Sequence, residues 1–225
     1  VGGCSGRIVE ETSTQSDIFA TRETFLSDNG RMAAIRLKVE NRRNAPFHLD
    51  TITPIAVDGV KGLVVGGAGA ADWRVLKLGR FKSDIPTVFR PGKEDVDYRD
   101  AAFNAQNVTA GMGVQGDVSE NYNMEQIVSE PLTFIKHDGA GDAEGLAIGV
   151  LGQDAHLTSI SYQFHGEPKQ LRRFAVVCEF DERRIDPGQS VETHWIVLYP
   201  SATEHEALDH FVDFQRAELN IPEPH

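Results

Sequence analysis

The feature that most constrains this chain is a succession of short apolar runs of period two, separated by turn residues. In "RMAAIRLKVENRRNAPFHLDTITPIAV", which starts at Arg31, Ile35, Leu37 and Val39 fall on one side and Arg36, Lys38 and Glu40 on the other. Side chains of a strand alternate between faces, so this pattern predicts a strand with one face in a core and one in water. "ENRRNAPF" then supplies turn residues before a second apolar run, Phe47 to Val57, and predicts a hairpin or a crossing between sheets. Upstream, "SDIFATRETFLSDNGRM" reads as a strand ending in Asp28-Asn29-Gly30, where Asn-Gly tolerates the positive φ of a tight turn.

The same grammar returns in the second half as "PLTFIKHDG", "GLAIGVLGQ", "HLTSISYQFHG", "RRFAVVCEFDE" and "SVETHWIVLYP". Phe174, Val176, Cys178 and Phe180 share one face of their run, and Trp195, Val197 and Tyr199 share one face of theirs. Asp186-Pro187-Gly188 is a turn, with proline pre-setting φ and glycine free to take φ above zero. Roughly ten or more strands joined by turns predict a mainly β fold, a large antiparallel β-sandwich. After Pro200 the period changes. Leu208, Phe211, Val212, Gln215 and Leu219 recur at helical spacing, and Ser201-x-x-Glu204 and Thr203-x-x-Glu206 both fit a capping box. Pro222 and Pro224 stop this helix. The expected organisation is a sandwich over residues 1–200, a C-terminal connector helix over 201–221 and a linker stub over 222–225.

Composition excludes several classes. With 40% apolar and 25% charged residues the chain has the proportions of an ordinary globular protein. Its formal charge of −12, without a basic run, repels phosphate backbones and anionic membranes, so neither nucleic acid nor membrane is an expected partner. Cys4 and Cys178 are too few for a disulfide framework and read as free thiols. "VGGCSGRIVEET" lacks the basic and apolar regions of a signal peptide, and no run approaches the ~20 apolar residues of a spanning helix, which favours a cytoplasmic location. The Asn107 sequon is a chance-prone triplet.

Chemical motifs are sparse. Gly67-Ala68-Gly69 follows a short apolar run but lacks the third glycine and the helix of a dinucleotide fingerprint, and Asp72-Trp73 resumes a strand-like pattern. A zincin helix needs histidines four residues apart. "HEALDH" sets His205 and His210 five apart, with rings about 140° apart on a helix, so no metal or other cofactor is expected. No nucleophile motif is recognisable. Carboxylate pairs could be drawn from Asp95, Asp97, Asp100 and Glu130, while His48, His137, His156, His165 and His194 lie on or near strands. Residues 91–130 are polar, rich in Asn and Gly and aperiodic, and form the best candidate for a ligand-facing or domain-facing loop.

The passage from Ile185 through Asp-Pro-Gly-Gln-Ser to Tyr199, followed by "EHEALDHFVDFQRAEL", resembles the end of the amino-terminal β-supersandwich domain of glycoside hydrolase family 36 α-galactosidases. "IRLKVENRRNAPFHLDTI", with its Asn turn, "DWRVLKLGRFKSD" and "GLAIGVLG" are similar to further segments of that domain, in order across residues 17–221. The resemblance implies a galactose-mutarotase-like supersandwich. It also implies a substrate class of α-galactosides or related glycosides and a retaining mechanism using two acids on a (β/α)8 barrel. No repeated βα pattern of a barrel is found in these 225 residues, so no catalytic residue is carried over. The expectation is a non-catalytic domain that partners a catalytic barrel through Leu208, Phe211, Val212 and Leu219, with a homo-oligomer also open. Family members bring a Trp-bearing loop of this domain near the sugar. Trp73 is the closest match, and a buried aromatic anchor is its competing role. The alternative is a stand-alone carbohydrate-binding module stacking galactoside-type sugars on Trp73, Tyr98 or Tyr122.

Overall fold

The computed structural model describes residues 1–59, 61–79, 86–91, 126–139, 141, 143–152, 154–165 and 170–222. In chain order the described strands are β1 (Gly6–Gln15), β2 (Ile18–Ser27), β3 (Ala33–Asn41), β4 (Phe47–Asp58), β5 (Trp73–Lys77), β6 (Thr87–Phe89), β7 (Gln126–Ser129), β8 (Leu132–His137), β9 (Gly145–Leu151), β10 (Leu157–His165), β11 (Gln170–Ile185), β12 (Ser190–Glu192) and β13 (Trp195–Ser201), followed by the helix α1 (Glu204–Glu218). No described helix is long and apolar enough to cross a membrane.

The strands form two antiparallel sheets. One has nine strands in the order β1-β2-β3-β13-β9-β8-β5-β6, with β12 also pairing β3; the other has four, β4-β11-β10-β7. The alternation read from the sequence sets which residues meet between them. Trp73 and Val75, Ile135, Ile148 and Val150, and Ile196 face Ile160, Tyr162, Phe164, Leu171, Phe174 and Val176 in one buried cluster. Burying each such side chain stabilises the fold by about 1.5–3 kcal/mol before chain entropy is counted. Thr133 ties the two layers together. Its hydroxyl donates to the Leu76 carbonyl at 2.8 Å, so the Tyr162 hydroxyl, 2.7 Å away, is the donor to Thr133 Oγ1. The long strand β11 carries the chain past this core because it bends: Asp181 and Glu182 take φ of 53° and 52°, and the register against β4 slips between Glu179 and Arg183.

The two turns picked out in the sequence meet in space. Asn41, fully buried, donates from Nδ2 to the carbonyls of Ala45 at 3.0 Å and Ile185 at 2.9 Å. Its backbone amide donates to the Gln189 carbonyl at 2.9 Å, and Gly188 returns a bond to the Asn41 carbonyl at 2.7 Å. Gly188 can make that approach because it holds φ at +79° at the third position of the Asp186–Gln189 turn. The β3–β4 and β11–β12 connections are therefore one locked corner, with every polar group of Asn41 occupied.

Candidate functional site

β9, β8 and β13, in the middle of their sheet, are buried on both faces, unlike the half-solvated strands toward its β1 edge. The reason is α1. On the face turned away from the second sheet, Leu132, Phe134, Ala147, Leu151, Trp195, Val197 and Tyr199 cluster with Ala207 and Phe211 of the helix. Phe211 seats directly over Gly149, where an added Cβ would come within 2.6 Å of the ring. Gln215 clamps the same strand, donating from Nε2 to the Val150 carbonyl at 2.7 Å and accepting from Gly152 N–H just past its end at 2.9 Å. The Tyr199 hydroxyl donates to the Ala207 carbonyl at 2.6 Å, and burial raises its pKa, keeping the phenol protonated.

The start of the helix is fixed by charge as well as by capping. Thr203 Oγ1 accepts from Glu206 N–H at 3.1 Å, and Glu206 reaches back to accept from Ala202 N–H at 2.6 Å, a capping box displaced by one residue. Arg74 on β5 donates from Nη2 to Glu204 at 2.7 Å, with Nε 2.6 Å from the other carboxylate oxygen, and Lys136 beside it donates to the Ala202 carbonyl at 2.9 Å. Of the two acids at the positive end of the helix dipole, Glu204 thus pairs with a base from the sheet and Glu206 closes the cap. The far end is held by the chain start, where Gly2 N–H donates to Glu218 at 2.9 Å.

The helix leaves a second apolar stripe uncovered. Leu208, Val212 and Leu219 are 37%, 46% and 48% exposed, and Ile221 beyond the helix is 50% exposed. At 100° per residue the three helical positions lie within ~40° of one another and about 100° around from Ala207 and Phe211. Phe211, grouped with this stripe by its sequence spacing, is 5% exposed and belongs to the sandwich's own packing. A four-residue step sets Phe211 under the helix with Ala207, while Leu208, three residues before Phe211, falls on the flank, a distinction that period alone does not draw.

A cleft of about 580 Å³ opens near the same strands. β3 pairs with β13 only from Ile35–Ile196 to Ala33–Leu198, so Tyr199, Pro200 and Ser201 run past the start of β3. Leu146, Leu198, Tyr199 and Met32 line the gap, with Arg7, Arg31 and Asp28 among its polar groups. Arg31 is engaged by Glu144 in an exposed ion pair. Among the described residues that line the cleft, Asp28 is the one carboxylate.

A histidine stack between β10 and β13 was not singled out by sequence reasoning. The His156 ring stacks on His194 at 4.1 Å and on Phe180 at 4.6 Å, and His156 Nε2 accepts from His194 N–H at 3.4 Å. His194 Nε2 lies 2.9 Å from Asp154. Burial, aided by the positive charge of His194, pushes His156 down to about 4, against a smaller opposing pull from Asp154. His156 is therefore a neutral packing group at physiological pH. Among the described residues no cluster of three or more His, Cys, Asp or Glu side chains is placed to hold a metal. His205 is exposed, whereas His210 sits beside the rings of Tyr199 and Phe214.

Of the other sequence candidates, Trp73 is 0% exposed and its indole N–H donates to the Ala68 carbonyl at 2.9 Å, so in this fold it is a core anchor. Glu130 is buried next to β8. Asp95, Asp97, Asp100, Tyr98, Tyr122 and Asn107 lie outside the described residues. Cys178 is buried, its thiol pushed up to about 11, and Cys4 is half-buried; both are free.

No protein-family model matches the sequence, and no curated protein does. Solved structures do match the fold. The α-galactosidase from Lactobacillus brevis superposes with a TM-score of 0.51 at 8% identity, over 93% of this chain and 25% of that one. The family GH36 α-galactosidase AgaA A355E from Geobacillus stearothermophilus, solved with 1-deoxygalactonojirimycin, gives 0.50 at 11% identity over 93% of this chain and 26% of that one. The galactosidase domain of the α-galactosidase–sucrose kinase AgaSK gives 0.50 at 11% over 88% and 24%. The chain is an antiparallel β-sandwich with a C-terminal helix, shares its fold with part of these proteins and spans about a quarter of their length.

Proposed function

We propose that this chain is the non-catalytic amino-terminal domain of an α-galactosidase-like glycoside hydrolase and that it supports a (β/α)8 catalytic barrel. The observation that carries the reading is the coverage: the shared fold takes in 88–93% of this chain and only 24–26% of the three α-galactosidase structures. The surface that meets the barrel is the flank of α1 carrying Leu208, Val212 and Leu219, an apolar stripe on a helix already anchored to the sandwich by Phe211 and Gln215. The two acids of a retaining mechanism belong to the barrel, and the substrates are α-galactosides. The test is to assay 4-nitrophenyl α-galactoside with the 225-residue chain and with the product of the reading frame extended beyond His225. The extended product is expected to release nitrophenol and the chain alone to release none. Turnover by the chain alone, or an extension that encodes no barrel, overturns the reading.

A further inference from the structure

β1 ends the nine-stranded sheet, and apart from its charges it lacks the devices that keep an edge strand unpaired. Free N–H and C=O groups on an edge template pairing with another chain, so edge strands are commonly short, bulged, charged or interrupted by proline. β1 is ten residues long, contains no proline and pairs with β2 without a register slip. Every one of its residues is exposed, and among the described residues no strand takes its second edge. Ile8 and Val9, at its centre, are 51% and 48% exposed.

We propose that β1 pairs antiparallel with β1 of a second copy of this chain, about a two-fold axis at Val9, joining the two long sheets into one. The charges select the register. An axis that relates two antiparallel edges stands perpendicular to the sheet, so each face continues into the same face and only residues of like parity oppose one another. An axis at Arg7, Glu10 or Glu11 sets that residue against its own like charge. An axis at Ile8 leaves Arg7 opposite Val9 and Glu10 opposite Gly6, with no charge matched. At Val9 the valines meet on the axis and Arg7 opposes the partner's Glu11 on both sides of it. Glu10 then lies opposite the partner's Ile8, where its methylene stem covers the apolar side chain. Arg7 has no carboxylate partner among the described residues, and Glu11 already pairs with Arg22 of its own chain, so in the dimer its carboxylate stands between two guanidinium groups. The interface depends on none of the galactosidase reading.

Sedimentation velocity on the 225-residue chain tests it. A strand-edge contact is smaller than a standard interface, so dimerisation is expected at about 10–100 μM and weakens with added salt. Arg7→Glu and Glu11→Arg should each weaken the dimer at least ~tenfold, while an equimolar mixture of the two variants, and the double variant, should recover it. Far-UV circular dichroism checks that each variant is folded. Val9→Asp, which sets like charges on the axis without touching the Glu11–Arg22 pair, should also give monomer. A wild-type chain that stays monomeric to about 500 μM overturns the proposal, as do single reversals that dimerise like wild type. A variant mixture that remains monomeric overturns it as well.

Discussion

The middle of the nine-stranded sheet and its β1 edge obey opposite rules. In the middle β13, β9 and β8 lie between the four-stranded sheet and α1, and their residues are almost all buried. At the edge, β1 is exposed along its whole length, and β2 is buried only at Phe25 and Ser27. The sequence differs accordingly: "GLAIGVL" has no charge in it, whereas "GRIVEETSTQ" has three charges and two apolar side chains. A strand that is apolar on both faces must be covered on both. The difference shows that α1 is a structural layer of this sandwich over three strands.

The covered middle is the easier to break, and the largest effect is expected at the seat of the helix. Phe211→Ala should cost about 3–5 kcal/mol by urea denaturation, since the ring is 5% exposed and little else can fill the space over Gly149. Gly149→Val should lift the helix from the other side and lower stability comparably. Next comes acid. His156 is held neutral in the fold, so its contribution is complete above about pH 6.5, falls as pH drops, and is exhausted below about 4. The change is at most about 3 kcal/mol, as the ring is 8% exposed but flanked by the more accessible Asp154. Urea titrations from pH 7.5 to pH 4 check it: His156→Phe, which keeps the stack on Phe180 without a titrating group, should flatten the profile. A smaller loss, about 1–2 kcal/mol, is expected from Arg74→Met. It leaves Glu204 half-covered and unpaired at the helix start, and a thermal melt against wild type reads it.

Most of the fold was legible because period two and period 3.6 are written in local composition. Leu37 and Val39 face inward as their spacing predicts, and Thr203 caps the helix with Glu206 as the box predicts. What was not legible is what rotation and long-range contact decide. Leu208 and Phe211 share a helical period, yet one is 37% exposed and the other 5%, because the seat at Gly149 is set by a strand more than fifty residues away. Asn41 and the Asp186–Gln189 turn each read as ordinary turn chemistry, and only the fold reveals that they bond to one another. Histidines 156 and 194 are unremarkable in sequence because stacking depends on the arrangement of β10 and β13.

The smallest effect on stability, and the sharpest on the comparison, is expected from the flank of α1 that no described residue packs over. Replacing Leu208, Val212 or Leu219 singly by Ser removes side chains that are 37–48% exposed and make no contribution to the buried clusters. Each should therefore shift the midpoint of urea unfolding by no more than about 0.5 kcal/mol in this chain. On the proposed function, the same substitutions in a product extended by a catalytic barrel would uncover an apolar surface of that barrel, and the triple replacement would then lower thermal stability and galactosidase activity together. On that reading Phe211→Ala should harm both forms, because it acts within the sandwich, and the Ser series only the longer one. If the triple replacement destabilises the 225-residue chain as much as the extended product, the stripe is part of the sandwich's own packing and the distinction between the two faces of α1 fails.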